Sequence, residues 1–296
     1  MKLGDTALTS SVRTQLKSLS SFDFQDIVVK ILFKRHGPEG FLDLREVRDK
    51  GSDGAILNEG CAIACYGPEE NTKKKFEKKV REDHDKFALN WKKQYPKFRV
   101  YVNHDPKPDE VIYTKSFGTY VEEPWGIERL MEVISQLPWG SQIYIFNCLN
   151  IQSELIGRDF IRLILEDLTN AQNIKSGNLE SKNRAPNIQK KIEINISESE
   201  RDGFDRLLSL TAESQLDVAD SLRAFDNLEI DMAKSRIVRD YDNTPVTESF
   251  IQRYKRMQQR MNDKYNSGDC DEMAHYIDAI LGYMFCQCLI GKEPKR

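Results

Sequence analysis

The part of the sequence best suited to chemistry is an aspartate between small residues, followed by a lysine-rich segment. Asp53 lies in the run GSDG of residues 51–54, directly before a short apolar stretch. A carboxylate beside glycines can approach a bound cation without steric hindrance, and Mg²⁺ usually takes only one or two protein carboxylates together with phosphate and water. The lysines that follow are Lys73, Lys74, Lys75, Lys78 and Lys79. An ammonium group stabilises charge on a phosphate under attack, so the combination predicts a metal-dependent phosphodiesterase site.

The residues around Asp53 predict alternating helices and strands. Apolar residues recur at helical spacing in some segments and alternate or run together in others. The predicted helices cover 20–37, the lysine-rich segment from 73 onward, 126–137 and 154–168; the predicted strands cover 41–48, 55–57, 61–67, 97–104 and 141–150. Alternating strands and helices predict an α/β domain whose sheet is covered by helices on both faces. The lysine-rich helix must then pack onto the sheet, close to Asp53.

The pattern changes near residue 170. Residues 170–189 are polar, contain glycine and proline, and show no periodicity, which is typical of an exposed linker. Beyond them, residues 203–225, 245–268 and 270–291 predict helices, and only 191–197 gives a strand signal. We therefore predict a domain over 1–170, a linker or mobile loop over 171–188, and a mostly helical domain over 189–296.

One helix of the second domain carries a stripe of aromatic and methionine side chains. Phe250, Tyr254, Met257 and Met261 lie on one face of this helix. Such a stripe is typical of a bundle core, and methionine is also frequent on adaptable contact surfaces. The residues alone leave both interpretations open: a structural core, or a module that docks onto another subunit.

Composition argues against several classes of protein. The 296 residues include 44 basic and 47 acidic side chains, for a net charge of −3, which argues against a wholly basic nucleic-acid binder but leaves room for a local basic patch. No apolar run approaches the about 20 residues of a membrane span, and the first residues lack the apolar middle of a signal peptide. We therefore expect a cytoplasmic protein that does not associate with membranes. The cysteines and histidines show no zinc-site spacing.

The order of these elements resembles the PD-(D/E)xK restriction-endonuclease-like fold. In that fold a helix precedes the first strand, an aspartate opens a hairpin, and the next strand carries Glu or Gln, any residue, and Lys. The segments DKGSDG, CAIACYGPE, KKV and FRVYVN more closely resemble nucleases of bacterial anti-phage defence operons of the Lamassu type. The resemblance covers the first half of the chain and, more loosely, the helical half.

This resemblance implies an activity and a set of partners. It implies an endodeoxyribonuclease that uses Mg²⁺, with Mn²⁺ able to substitute, and that cuts double-stranded DNA of phages or plasmids. It also implies an SMC-like ABC ATPase and a third small subunit that restrain the nuclease until activation, with homo-oligomerisation in the active state. The helical domain would then dock onto the partner subunits.

Only part of the family motif is present in this chain. Asp53 matches the aspartate that opens the hairpin, whereas Ala64 and Tyr66 occupy the Glu/Gln and Lys positions of the next strand. Either the site is inactive, or the missing groups come from elsewhere. We predict that Lys79 is the catalytic lysine, because it can reach the sheet edge from its helix. The resemblance places a second carboxylate near Asp53, and we assign it to Glu69.

Further candidates surround this set. Glu70 is an alternative to Glu69, and Gln25 on the first helix, with Asp26 as its alternative, lies where related nucleases often place an acidic or amide side chain. We include Gln25 among the candidate catalytic residues.

Each candidate also has a purely structural interpretation. The GSDG run is a common turn, because Asp and Gly favour turn geometry. Lys79 and Asp83 are four residues apart and are compatible with an ordinary ion pair on a helix surface. Glu69 and Glu70 suit the N-terminal end of the lysine-rich helix. The alternative function is therefore a catalytically inactive, nuclease-like subunit that binds DNA or partner proteins; a purely structural subunit is a third reading.

Overall fold

The computed structural model describes residues 6–45, 51–169, 187–265, 271–287 and 289–292. The chain divides into two compact units, Met1–Gln152 and Ser153–Arg296. The predicted first domain ended at residue 170, whereas the helix over 153–169 belongs to the second unit. Residues 171–186 of the predicted linker lie outside the described residues, and residues 187 and 188 begin a helix.

The first unit is built on a small mixed sheet. Its four described strands are β1 (Phe41–Asp43), β2 (Gly54–Ile56), β3 (Cys61–Tyr66) and β4 (Lys97–Val102), in that spatial order. Strands β1, β2 and β3 pair antiparallel, and β3 pairs parallel with β4. The α/β prediction is confirmed. The strand predicted over 41–48 is much shorter, and its residues 46–48 lie outside the described part of the chain.

Helices cover both faces of this sheet, as predicted. The helices of the first unit are α1 (Ala7–Ser18), α2 (Ser21–His36), α3 (Lys73–Asn90), α4 (Pro108–Lys115), α5 (Ile127–Gln136) and α6 (Trp139–Cys148). Residues of alternating positions in a strand face opposite sides. Accordingly, Ala62 and Ala64 pack with the apolar side chains of α3, while Arg99 and Tyr101 line a cavity with residues of α2 and α5 on the other side.

The strand predicted over 141–150 is wrong, because these residues form most of α6. A short continuous apolar run does not distinguish a buried strand from a buried helix. Here Pro138 precedes the first helical residue, and the side chains of Ile143, Ile145 and Phe146 are all buried. Helices α1 and α4 were not predicted from the sequence.

The second unit is helical throughout its described residues. Its helices are α7 (Ser153–Thr169), α8 (Ile188–Asn195), α9 (Glu198–Leu210), α10 (Ala212–Leu222), α11 (Asn227–Asp242), α12 (Phe250–Tyr265) and α13 (Asp271–Cys286). The strand signal over 191–197 is therefore wrong, since α8 occupies most of it. The helix predicted over 203–225 is two helices that meet at Thr211.

Aromatic side chains form the centre of the second unit. The ring of Phe285 lies 5.2 Å from that of Phe204 and 5.1 Å from that of Phe250, measured between centroids. Phe250, Tyr254 and Met257 of the predicted stripe are buried, so these residues belong to the core of the bundle. Among the described residues, the helices are too short or too polar to cross a lipid bilayer.

Candidate active site

Asp53 is held at the point where the hairpin begins. Its backbone N–H donates to the carbonyl of Ile63 at 2.8 Å, and its own carbonyl accepts from the N–H of Leu44 at 3.1 Å. Its carboxylate accepts from the backbone N–H of Cys65 at 2.6 Å and from the side-chain amide of Gln25 at 2.7 Å. The sheet and α2 together therefore fix the carboxylate, which points toward protein groups rather than into bulk water.

The loop before Asp53 packs directly against α3. Gly51 has a φ of +76°, a conformation that L side chains rarely adopt. A Cβ atom at this position would lie 2.4 Å from the Cβ of Lys86 and 2.6 Å from the carbonyl oxygen of Asp83. Only glycine allows the loop to approach α3 this closely. Asp83, beside this contact, has an exposed fraction of 7%.

Helix α3 brings two charged groups to the same place. The ammonium group of Lys79 donates to the carboxylate of Asp83 at 2.7 Å. Phe76, Val80 and Phe87 of the same helix are fully buried against the sheet, and each contributes about 1.5–3 kcal/mol by burial of its side chain. This apolar stripe fixes the rotation of α3, and thus the positions of Lys79 and Asp83.

The electrostatics of these groups are coupled. Burial, together with the negative charge of Asp53, raises the pKa of Asp83 to about 6, against the opposing charge and hydrogen bond of Lys79. Burial also raises the pKa of Asp53, against the N–H of Cys65 and the charge of Lys79, which lower it. For Lys79, burial lowers the pKa, but the charges of Asp83 and Asp53 outweigh it and the net pKa is raised. The charge of Asp53 thus disfavours ionisation of Asp83, and a bound cation would oppose this effect.

These side chains line one open cavity of about 670 Å³. Asp53, Asp83, Lys79 and Gln25 all contribute to its wall. The remaining polar or charged residues that line it are Ser21, Arg45, Ser52, Cys65, Tyr66 and Lys86. The buried hydroxyl oxygen of Ser52 has no hydrogen-bond partner among the described residues. The cavity therefore combines carboxylates, cations and a polar atom that a bound ligand or water could satisfy.

The structure brings together three of the predicted site residues. Asp53, Lys79 and Gln25 line the same cavity, but the predicted second metal ligand, Glu69, does not. Glu69 and its alternative Glu70 are exposed and line a neighbouring cavity of about 660 Å³, which also includes Lys79. Asp83, in contrast, lies in the cavity of Asp53.

Sequence reasoning identified Asp83 only as an ion-pair partner of Lys79. A signal for its burial was present, since Asp83 falls on the same helical face as Phe76, Val80 and Phe87. A carboxylate within an apolar stripe is rarely left uncompensated. The alternative to Gln25, Asp26, pairs instead with Lys30 and Arg45.

Ala64 and Tyr66 of β3, at the positions where the resemblance expected Glu or Gln and Lys, provide neither a carboxylate nor an amine. Ala64 and Tyr66 both line the cavity, and the ring of Tyr66 packs edge-on against Phe76 with centroids 5.9 Å apart. The hydroxyl of Tyr66 is buried and finds no hydrogen-bond partner in the described part of the chain. A lysine and a second carboxylate reach this cavity from α3, as Lys79 and Asp83.

The residues present fit a hydrated Mg²⁺ ion. Within the described residues, no group of three or more His, Cys, Asp or Glu side chains is arranged to hold a metal. Mg²⁺ does not require one, because it commonly uses one or two carboxylates and completes its shell with water and phosphate oxygens. Asp53 and Asp83 are the carboxylates that would bind it, and a divalent cation beside them would offset the cost of burying their charges.

Comparison of this chain with family models, with curated proteins and with solved structures finds no match in any of the three. The assignment of a function therefore depends on the geometry of the cavity and on the sequence pattern.

Proposed function

We propose that this protein is a Mg²⁺-dependent endodeoxyribonuclease with a restriction-endonuclease-like first unit. The observation that carries the proposal is the convergence of Asp53, Asp83, Lys79 and Gln25 on one cavity. Two carboxylates, one lysine and a positioned amide are the groups that phosphodiester hydrolysis with a bound metal needs. The element order of the first unit, with a helix, a hairpin opened by Asp53 and a further strand, supports this assignment.

Each residue has a separate task in this proposal. Mg²⁺, when bound, supplies Lewis-acid stabilisation of the phosphate and a more acidic water. Asp53 and Asp83 bind the ion, with Asp83 taking the part that the sequence assigned to Glu69. Gln25 holds the carboxylate of Asp53 in one orientation through its 2.7 Å hydrogen bond. Lys79 is close enough to both carboxylates to affect their pKa values, and its ammonium group would stabilise charge on the phosphate.

The biological role we propose follows the resemblance of the sequence. The protein would be the effector of an anti-phage or anti-plasmid complex, held inactive by an SMC-like ABC ATPase and a third small subunit. It would become active on double-stranded DNA as a homo-oligomer, because two active sites are needed to cut both strands. The helical second unit would dock onto the partner subunits, and the complex would act in the cytoplasm.

The test is cleavage of supercoiled plasmid by the purified full-length chain in the presence of Mg²⁺ or Mn²⁺, alone and with the candidate partner subunits. We expect nicked and linear products from the wild type and none from Asp53→Asn or Lys79→Met. Lys74→Met is the matched control, because Lys74 is an exposed lysine of the same helix and lines neither cavity. Intact plasmid under every condition, or equal cleavage by wild type and Asp53→Asn, would reject the enzyme.

A catalytically inactive nuclease-like subunit is the second candidate function. It is favoured by one observation, the presence of Ala64 and Tyr66 at the ligand positions of β3. Calorimetric titration with Mn²⁺ separates the two functions. Binding that is lost in both Asp53→Asn and Asp83→Asn supports the enzyme, whereas DNA binding without any such Mn²⁺ site supports the inactive scaffold.

A further inference from the structure

An exposed aromatic side chain stands at the mouth of the proposed active site. Phe22 lines the cavity that contains Asp53 and Lys79, and 83% of its surface is exposed. Phe24 and Ile27, which follow it on α2, are buried at 0% and 3%. Phe22 therefore contributes nothing to the core, although burial of its ring would stabilise the fold.

The backbone holds Phe22 in a fixed position. Ser21 has a φ of +45°, a conformation that is uncommon for residues other than glycine. Its N–H donates to the carbonyl of Gly67 at 2.6 Å, which ties the start of α2 to the residue after β3. Gly67 also packs tightly on α2, since a Cβ atom there would lie 2.7 Å from the Cβ of Phe24. The aromatic ring thus projects from a rigid element, as binding residues commonly do.

Positively charged residues extend from the same site along α3. The neighbouring cavity shares Ser21, Tyr66, Pro68 and Lys79 with the first. Its wall also carries Lys75 and Lys78 and an equal share of carboxylates. The ion pairs that these two lysines form with Glu70 and Glu82 of the same wall are long, at 3.7 and 3.9 Å. A nucleic-acid strand that places one phosphate beside Lys79 can therefore place the next phosphates beside these two lysines. The phosphates would replace the distant carboxylates as partners of the ammonium groups.

We propose that Phe22 stacks on an unpaired nucleobase next to the scissile phosphate, so that the preferred substrate is DNA with an opened or single-stranded segment. This inference rests on the proposed nuclease function. In a duplex, each base is stacked and paired, whereas an unpaired base offers its face to an aromatic ring. Because Lys75 and Lys78 form only long ion pairs within the described residues, they can exchange these carboxylates for phosphates, which favours a nucleic acid over an apolar protein side chain as the occupant. Phe22 thus determines specificity and does not take part in the chemical step.

Binding provides the first test and does not depend on cleavage. Full-length wild type, Phe22→Leu and Phe22→Trp are titrated, in EDTA, with single-stranded and duplex oligonucleotides that carry a fluorescent adenine analogue. We expect quenching of the single-stranded probe by the wild type and by Phe22→Trp. For Phe22→Leu we expect loss of the quench and an affinity for single strands that is about tenfold weaker, as for loss of one stacked base, with duplex affinity unchanged. Leu89→Ala is the control, because Leu89 is 85% exposed and lines neither cavity.

Cleavage then separates this inference from the proposed function. With Mg²⁺, Phe22→Leu should lower the ratio of single-strand to duplex cleavage about tenfold. If the wild type cleaves DNA and Phe22→Leu has the same ratio of single-strand to duplex cleavage, the stacking role is wrong and the proposed nuclease function is unaffected. Phe22-dependent quenching without any cleavage supports the base site and overturns the nuclease. Equal binding of single strands by wild type and Phe22→Leu, or a Phe22→Leu defect only toward protein partners, overturns the inference.

Discussion

Replacement of Asp83 by asparagine should stabilise the metal-free protein at alkaline pH, although it should abolish activity. Asparagine keeps the shape of the side chain and an oxygen that can accept from Lys79, but it carries no charge. In the wild type, burial and the nearby Asp53 raise the pKa of Asp83 to about 6, compared with about 3.9 in an unfolded chain. The fold therefore disfavours the ionised carboxylate.

The sign and size of the effect follow from this difference. Because the folded protein holds the proton more tightly than the unfolded chain, the contribution of Asp83 to stability is complete below about pH 4 and is lost as the pH rises through about 6. A difference of about two pKa units corresponds to about 3 kcal/mol. This figure already includes the attraction of Lys79. At pH 8, Asp83→Asn should therefore increase the free energy of unfolding by up to about 3 kcal/mol.

Urea denaturation between acid and alkaline pH, in the presence of EDTA, measures this difference. The wild type should lose stability relative to Asp83→Asn as the pH rises, and Mn²⁺ should restore stability only to the wild type, because a ligand stabilises the state that binds it. Asp85→Asn is the control: Asp85 is exposed on the same helix, and its change should stay within about 0.5 kcal/mol. An Asp83→Asn protein that is less stable than the wild type at alkaline pH without metal would refute the reasoning.

Three further predictions test the fold. Gly67→Ala should destabilise the protein by about 1–3 kcal/mol in urea denaturation, because the new Cβ would lie 2.7 Å from the Cβ of Phe24. The control is Gly203→Ala in α9, whose new Cβ meets nothing within 4 Å and should stabilise the protein by up to about 1 kcal/mol. Equal effects of the two substitutions would contradict the close packing of α2 on the end of β3. Phe87→Ala should lower the free energy of unfolding by about 3–5 kcal/mol, since the ring of Phe87 is fully buried and stacks on that of Phe98 with centroids 4.7 Å apart. A decrease below about 1 kcal/mol in urea denaturation would show that α3 is not packed this way. Burial raises the pKa of Asp278 to about 6, so the wild type should lose stability as the pH rises through about 6. Asp278→Asn should reduce this loss in the second unit. If the free energy of unfolding of Asp278→Asn depends on pH as in the wild type, Asp278 is not buried in this way.

The hairpin and α3 could be predicted from the sequence because local signals agree there. Glycines bracket Asp53, apolar residues follow, and α3 shows a clear apolar stripe. Where periodicity was weak, prediction failed. Residues 7–18 looked polar, although Leu8, Val12 and Leu16 occur at helical spacing and Thr6 caps the helix through the N–H of Thr9.

Helix α4 begins with residues that favour the start of a helix, although its sequence shows no clear apolar periodicity. Pro108 is its first residue, and the carboxylate of Glu110 accepts from the backbone N–H of Lys107. A proline followed two residues later by an acidic side chain is a recognised start of a helix, and this signal was present in the sequence. The failure at α6 was different in kind, because a buried apolar run carries no period that separates a strand from a helix.

The candidate site was predictable only in its sequence-local parts. Asp53 and Lys79 could be proposed from residue type and spacing, but the choice between Glu69 and Asp83 depends on tertiary packing. A pair four residues apart on a helix is usually solvated. Here Asp83 is only 7% exposed, and the backbone of Gly51 lies close to α3 at this residue. The apolar stripe of α3 indicated that Asp83 faces the core, but not that it reaches the cavity of Asp53.

Because two residues of the proposed site lie on a helix, the geometry of the site depends on how that helix is rotated about its axis. Lys79 and Asp83 are one turn apart on α3, so any rotation of the helix moves both groups together relative to Asp53. One residue of α3 corresponds to about 100° of rotation, and the buried Phe76, Val80 and Phe87 are what prevent it. Substitutions at Ala64 on β3 should therefore affect the chemistry less than changes in the apolar stripe of α3, even though the stripe does not line the cavity.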